Sequence, residues 1–187
     1  PLVWQIINNE KILGSTIFKL KDGIDNGPIL DQVRIKNNIK ICINDASELI
    51  IKEWGRKIPL IWSNFNKGKI KVTNQKHHLA TYSSARKESD GLINWKKSAD
   101  KIDCFIRAQK HPYPGAFFYF NKQKVKIVEY SLDNKIVYGI SGQVFEVKKS
   151  YVSVCCGANS IIMLKELLIN KKIKKASVLL KSRNIRL

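Results

Sequence analysis

Acidic side chains are what this sequence has least of relative to their opposites. Across 187 residues, 15 Asp and Glu face 34 Lys and Arg, for a formal charge of +19. So large a deficit excludes a neutral surface and keeps a polyanionic partner in view. Arginine is scarce within that excess, being confined to Arg34, Arg56, Arg86, Arg107, Arg183 and Arg186. The remainder is Lys, abundant alongside Asn and Ile, and a Lys-rich solvated exterior is the first reading. Proline is limited to five residues while 44% of the chain is hydrophobic, which excludes a disordered or collagen-like chain. No apolar run approaches the length of a membrane span, so no membrane partner is expected. Cys42, Cys104, Cys155 and Cys156 have no C-x-x-C spacing, so neither a zinc site nor a disulfide framework is indicated, and a reducing cytoplasm is the expected location. The vicinal pair His77-His78 lacks partners at ligand spacing, and no metal is expected there. The chain opens on Pro1 in a helical pattern, as a piece of a longer protein would.

The most organised stretch is Gly14 to Leu30. Ser15–Leu20 alternates β-branched or aromatic residues with small and polar ones, the period-2 pattern of a strand. Lys21 to Pro28 then holds two Asp, two Gly, an Asn and a Pro, residues that tolerate positive φ or fix a bend. Ile29-Leu30 resumes the apolar run. In α/β folds an Asp on such a turn sits at the strand ends, where chemistry is usually presented. Taken alone, an acidic Gly/Asn turn is more often a plain hairpin.

Around this unit the pattern predicts a short helix over residues 1–9, with Pro1 in its first turn. Asp45 to Glu48 has capping-box spacing and opens a second helix, which Gly55 and Pro59 should kink or divide before it ends near Gly68. Lys69 to Ala80 turns polar and reads as a linker. Ser98 is a second N-cap, with Ile102, Phe105, Ile106 and Gln109 at helical spacing up to Pro112. Beyond Gly115, Ala116–Phe120, Lys124–Tyr130, Gln143–Lys148, Tyr151–Cys156 and Ser160–Leu168 read as short strands between Asn, Gly and Lys turns, a spacing that suggests a small barrel. The last 28 residues, from Ser160, carry eight basic side chains against Glu166 alone.

Three stretches carry a resemblance: WQIINNEKILGSTIFKLKDGIDNGPIL, ATYSSARKESDGLINW and IRAQKHPYPGAFFYF. In this order and spacing they resemble the tetrahydrofolate-dependent formyltransferases, clearly over residues 1–130 and faintly beyond. The resemblance implies an α/β fold: the C-terminal part of a Rossmann-like catalytic domain with linker over 1–80, then a small OB-like β-barrel domain over 81–187. It implies transfer of a formyl group from N10-formyltetrahydrofolate to an amine, with Asp25 as the catalytic carboxylate. The loop residues Asp22, Gly23, Ile24 and Asp25 are implied to hold the folate through their backbone. Arg86, Arg107 and Tyr113 are implied to border the acceptor, Arg through its planar donor fork. Trp95 is implied to pack, and Asn94 departs from the family's usual Asp.

Two acceptors fit the resemblance. The first is a nucleotide-linked amino sugar, whose enzymes imply a homodimer; the alternative is methionyl-tRNA, which the basic tail favours. A non-enzymatic alternative is an incomplete fragment that only binds folate or a partner. The family's Asn-x-His oxyanion donors are absent from this sequence and are expected ahead of Pro1, so these residues alone are expected not to turn over.

Overall fold

The computed structural model describes residues 2–37 and 41–187. Its contacts divide the chain into two compact units, Pro1–Ala85 and Arg86–Leu187. The helical turn proposed for Pro1 lies outside the described residues.

The first unit opens with helix α1 (Leu2–Ile7), then strands β1 (Ile12–Phe18) and β2 (Ile29–Lys36), then helix α2 (Ile43–Asn66). β1 begins three residues earlier than the alternation suggested, because Leu13 is fully buried and Gly14 continues the ladder opposite Arg34. The two strands are antiparallel, from Ile12 opposite Lys36 to Ile17 opposite Asp31, with a bulge before Phe18 that ends the regular pairing. Residues directly opposite share a face. Leu13 and Val33 therefore lie on one side, where they are buried with Val3 and Ile6 of α1 and Ile43, Ala46 and Ile50 of α2. On that same face Trp54 donates from Nε1 to Ser15 Oγ at 3.1 Å, and Lys57 Nζ meets Asp31 at 2.8 Å. The Lys57 hydrogen bond holds the Asp31 carboxyl below its ordinary value.

The helix start differs from the capping-box expectation. α2 begins at Ile43 with Cys42 in the N-cap position and no side-chain cap, and Asp45 falls inside the first turn. Burial of Ile43 at helical spacing from Ala46 and Ile50 draws the start forward. Asn44 Nδ2, at 3.0 Å, then takes up Glu48 Oε1. Nor does Pro59 divide the helix, which runs unbroken to Asn66. The carbonyl deprived of its donor is that of Gly55, four residues earlier, where an added Cβ would meet nothing within 4 Å. Water reaches this open flank, so the lost bond costs little. As expected, the chain turns at Gly68, with φ +62°.

In the second unit Ser98 caps helix α3 (Ala99–Ala108), accepting from the Lys101 amide at 3.5 Å. Strands β3 (Phe117–Phe120), β4 (Gln123–Asp133), β5 (Val144–Val147), β6 (Val152–Cys155), β7 (Ile161–Ile169) and β8 (Lys172–Lys175) follow, then a short helix α4 (Ala176–Leu179). All strand pairs are antiparallel, in the order β3-β4-β7-β6-β5, with β8 also on β7. Bulges in β4 and β5 bend the sheet. Five of these strands fall where the sequence placed them. β8 was missed because all four of its residues are exposed, so its Lys-Ile-Lys-Lys run has no buried face to produce an alternating pattern.

The core of this unit gathers Ile102 and Ile106 from α3 with Phe118, Val125, Ile162, Leu164 and Leu167 from the sheet. Trp95 is buried here as expected, edge-on to Phe118 at 5.8 Å. No helix among the described residues is long and apolar enough to cross a membrane.

Leu164, fully buried on the central strand, gives a direct measure of this packing. Leu164→Ala is expected to lower stability by about 2–5 kcal/mol. It would appear as a lower urea midpoint at unchanged m-value, followed through Trp95 fluorescence in a background with Trp4, Trp54 and Trp62 replaced by Phe.

Candidate functional site

Residues 19–28 connect β1 to β2 as a loop closed by its own backbone, Lys19 N donating to Pro28 O at 2.9 Å. Inside this closure Asn26 Nδ2 donates to Asp22 O at 2.6 Å. Asp25 adopts φ 52°, the left-handed region that Asp and Asn enter more readily than bulkier residues. Both loop glycines have structural work. Gly23, at φ +99°, carries no Cβ where the Asn26 side chain lies, and a Cβ on Gly27 would strike the Lys19 carbonyl. Their lack of side chains is required by the loop's own path, before any ligand is considered.

Asp22, Gly23, Ile24 and Asp25 are all exposed. Asp25 borders a cavity of about 620 Å³ together with Ser15, Thr16, Gln32, Ser47 and Gln75. Among the described residues its carboxylate has no hydrogen-bond or ion-pair partner. The cavity's polar lining is otherwise uncharged: three hydroxyls and, with Gln5, three carboxamides, over an apolar base that includes Phe18, Ile29 and Ile50. Such a lining offers both donors and acceptors at a fixed acid, the equipment for holding a polar heterocycle and moving a proton. A neighbouring cavity of about 940 Å³ shares Gln5, Gly14, Ser15, Thr16 and Gln32 and extends along Arg34 to residues 81–84. The wall between them is held by Gln5, whose Nε2 donates to Gly14 O at 3.1 Å while its Oε1 accepts from Gly14 N at 2.7 Å. Trp4 donates to Ser84 O at 3.1 Å, which fixes residues 81–84 beside α1.

The residues expected at the acceptor all fall in the second unit, with different fates. Arg86 donates to Asp90 O at 2.8 Å and lies 5.5 Å from the Phe105 ring centroid, half-buried. Tyr113 is exposed in the turn after α3. Arg107 is 5% exposed, and the expectation that it presents its fork to a substrate does not match this burial. Its Nε donates to Asp103 Oδ2 at 2.9 Å and its Nη2 reaches Cys104 Sγ at 3.3 Å. Tyr130 donates its hydroxyl to the other oxygen, Asp103 Oδ1, at 2.9 Å. Burial, reinforced by the Asp103 charge, pushes the Tyr130 hydroxyl well above its ordinary range. Burial likewise raises the Cys104 thiol. The i, i+4 spacing of Asp103 and Arg107 was a legible signal for this pairing. Gln5 and Gln75 gave no comparable signal, because a lone Gln has no motif.

Vicinal Cys155 and Cys156 are both buried, and desolvation raises both thiols, Cys156 to about 12, which disfavours the thiolate at each. No cluster of His, Cys, Asp and Glu suited to a metal occurs among the described residues.

Residues 86–184 match the family model described as "Formyl transferase, C-terminal domain". The chain is 35% identical over 135 residues to the bifunctional polymyxin resistance protein ArnA of Wigglesworthia glossinidia brevipalpis, covering 68% of this chain and 19% of that protein. It is 32% identical over 171 residues to methionyl-tRNA formyltransferase of Pelagibacter ubique, covering 89% of this chain and 52% of that enzyme. Among solved structures, WlaRD, a sugar 3N-formyl transferase crystallised in the presence of dTDP and 5-N-formyl-THF, superposes with a TM-score of 0.60. The identity is 25%, over 91% of this chain and 59% of WlaRD. The chain thus spans about half the length of the methionyl-tRNA formyltransferase it matches and a fifth of ArnA.

Removing one member of the buried pair should cost more than removing both. Arg107→Ala strands the Asp103 carboxylate and is expected to lose about 3–5 kcal/mol in urea unfolding, whereas the double change Asp103→Leu, Arg107→Met recovers most of it.

Proposed function

This chain belongs to the formyl transferase family, and from that premise we propose that it forms part of an enzyme that formylates the amine of a nucleotide-linked amino sugar. The formyl donor is N10-formyltetrahydrofolate. The observation that carries this reading is the unpartnered Asp25 carboxylate at the rim of a cavity lined otherwise by neutral hydroxyls and carboxamides. The likeness to WlaRD supports the sugar acceptor.

In this reaction the amine nitrogen attacks the formyl carbon, and the carbonyl electron pair moves onto oxygen. Collapse of that tetrahedral species breaks the bond to folate N10, which takes up the proton the amine has lost. Asp25 is assigned the relay of that proton and the orientation of its companions. The backbone of Asp22, Gly23, Ile24 and Asp25 would hold the folate, with Ser15, Thr16 and Gln32 available for its polar groups. Arg86 and Tyr113 are assigned to the acceptor, with Arg107 acting behind them as a support of α3. The second unit, bent by its bulges, is read as an OB-like domain, and the protein as cytoplasmic and able to form a homodimer.

A second reading, a methionyl-tRNA acceptor, is favoured by one specific observation. Strand β8 exposes Lys172, Lys174 and Lys175 to solvent, with Lys171 just before it. A row of exposed cations at a sheet edge suits phosphate contacts. The similarity to methionyl-tRNA formyltransferase supports the same reading.

Two measurements bear on these readings. In the full protein, Asp25→Asn is expected to lower formyl transfer by about 10²–10⁴, while 5-formyltetrahydrofolate still binds by titration calorimetry. Retention of half the activity would remove Asp25 from the chemistry. The acceptor is read from salt dependence: sugar-nucleotide binding should change only slightly between 50 and 200 mM salt, whereas tRNA affinity should fall by orders of magnitude. Tight tRNA binding at physiological salt, without saturable sugar-nucleotide binding, selects the second acceptor.

A further inference from the structure

Gln75 lies fifty residues from Asp25 in sequence, yet its Nε2 donates to the Asp25 carbonyl at 2.8 Å and to the Gly27 carbonyl at 2.6 Å. We infer that Gln75 is a positioning residue that sets the conformation of the Asp25 loop and thereby aims its carboxylate. The assignment rests on the functional reading above for what the loop does, and on geometry alone for how the loop is held.

The geometry follows from a short piece of backbone pairing. Ile29 N donates to Thr73 O at 2.8 Å and Thr73 N to Ile29 O at 2.9 Å, a reciprocal antiparallel bridge at the start of β2. Carrying that register two residues further places Gln75 opposite Gly27. Residues 69–76 are thus the strap that delivers a carboxamide to the loop, a more defined role than the linker expected there.

The side-chain type is also specified. One carboxamide NH₂ carries two protons and can serve two carbonyls at once. A hydroxyl supplies one proton, and a carboxylate supplies none and repels both carbonyl oxygens. The two acceptors belong to the Asp25–Asn26 and Gly27–Pro28 peptide planes, so a single group ties the loop on both sides of the Asn26–Gly27 peptide. The loop needs such external hold. Asp25 occupies φ 52°, a conformation that persists only when its surroundings determine it. Its internal ties are the Asn26–Asp22 contact and the Lys19–Pro28 closure. Losing the Gln75 donors frees the segment that carries the carboxylate while leaving both strands paired.

The test compares the full protein with its Gln75→Glu form, which keeps the shape and removes the donors, and its Gln75→Lys form, which restores donors. Three readouts apply: hydrogen exchange at the Lys19 amide, tryptic cleavage after Lys21, and affinity for 5-formyltetrahydrofolate. In Gln75→Glu, exchange and cleavage should accelerate by roughly tenfold to a hundredfold, as two lost hydrogen bonds imply. The Gly14 amide, held by Gln5 within the same unit, should be unchanged, which excludes unfolding of that unit. Affinity for 5-formyltetrahydrofolate should weaken by about tenfold or more on the same basis, and Gln75→Lys should reverse a substantial part of both effects. If Gln75→Glu exchanges at Lys19 like wild type, the positioning role is overturned whatever the chain binds. If exchange accelerates but the wild-type chain binds no 5-formyltetrahydrofolate, the hold on the loop stands and the folate reading fails.

Discussion

The antiparallel pairing of β1 with β2 is the constraint on which the geometry of the Asp25 loop depends. It brings Lys19 and Pro28 within one hydrogen bond of each other, so ten residues must turn back in a confined path. That confinement accounts for Gly27, whose Cα faces the Lys19 carbonyl, and for Gly23 beside the Asn26 side chain. It also leaves Asp25 projecting at the strand end with its backbone in the left-handed region. Backbone strain of this kind persists only when surrounding contacts hold it. Here those contacts come from a separate piece of chain, bridged to Ile29 through Thr73.

The second unit solves a different problem, that of keeping charge inside an apolar core. Asp103 and Arg107 are both buried on α3, one turn apart. Each Asp103 oxygen has a partner, Arg107 Nε on one and the Tyr130 hydroxyl on the other. Tyr130 sits on β4, so the carboxylate ties the helix to the sheet as well as neutralising the guanidinium. A fully partnered network of this kind fixes geometry more than it adds net stability. It anchors the helix from whose end the Lys110–Gly115 turn departs with Tyr113 exposed.

The +19 charge is spread through both units and largely meets solvent. Ion pairs such as Glu53–Arg56 and Glu129–Lys165 are exposed and contribute little. What distinguishes β8 from this background is arrangement: three lysines held at fixed spacing on an edge strand rather than on independent side chains. Lysine on an edge also discourages pairing with another sheet, so this strand has a protective role irrespective of any polyanion.

Alternation and capping made much of the local structure legible in the sequence. β2, the Ser98 cap on α3 and five of the six strands in the second unit follow from side-chain period and N-cap chemistry, which act over a few neighbouring residues. The acidic turn was readable for the same reason, whereas the burial of Trp95 came from the family resemblance that the three ordered stretches carry. The tertiary structure decided what depends on distant neighbours. It moved the start of α2 to Ile43 because Ile43 has a core to enter, and it carried the helix through Pro59 because the flank at Gly55 is open. It turned Arg107 inward because Tyr130, far away in sequence, completes the shell around Asp103. It also placed Gln75 on the Asp25 loop through a two-residue bridge to Ile29 that leaves no periodic trace. Local preference specifies which element a residue joins; which partner it meets is set by the long-range pairing that only the folded chain contains.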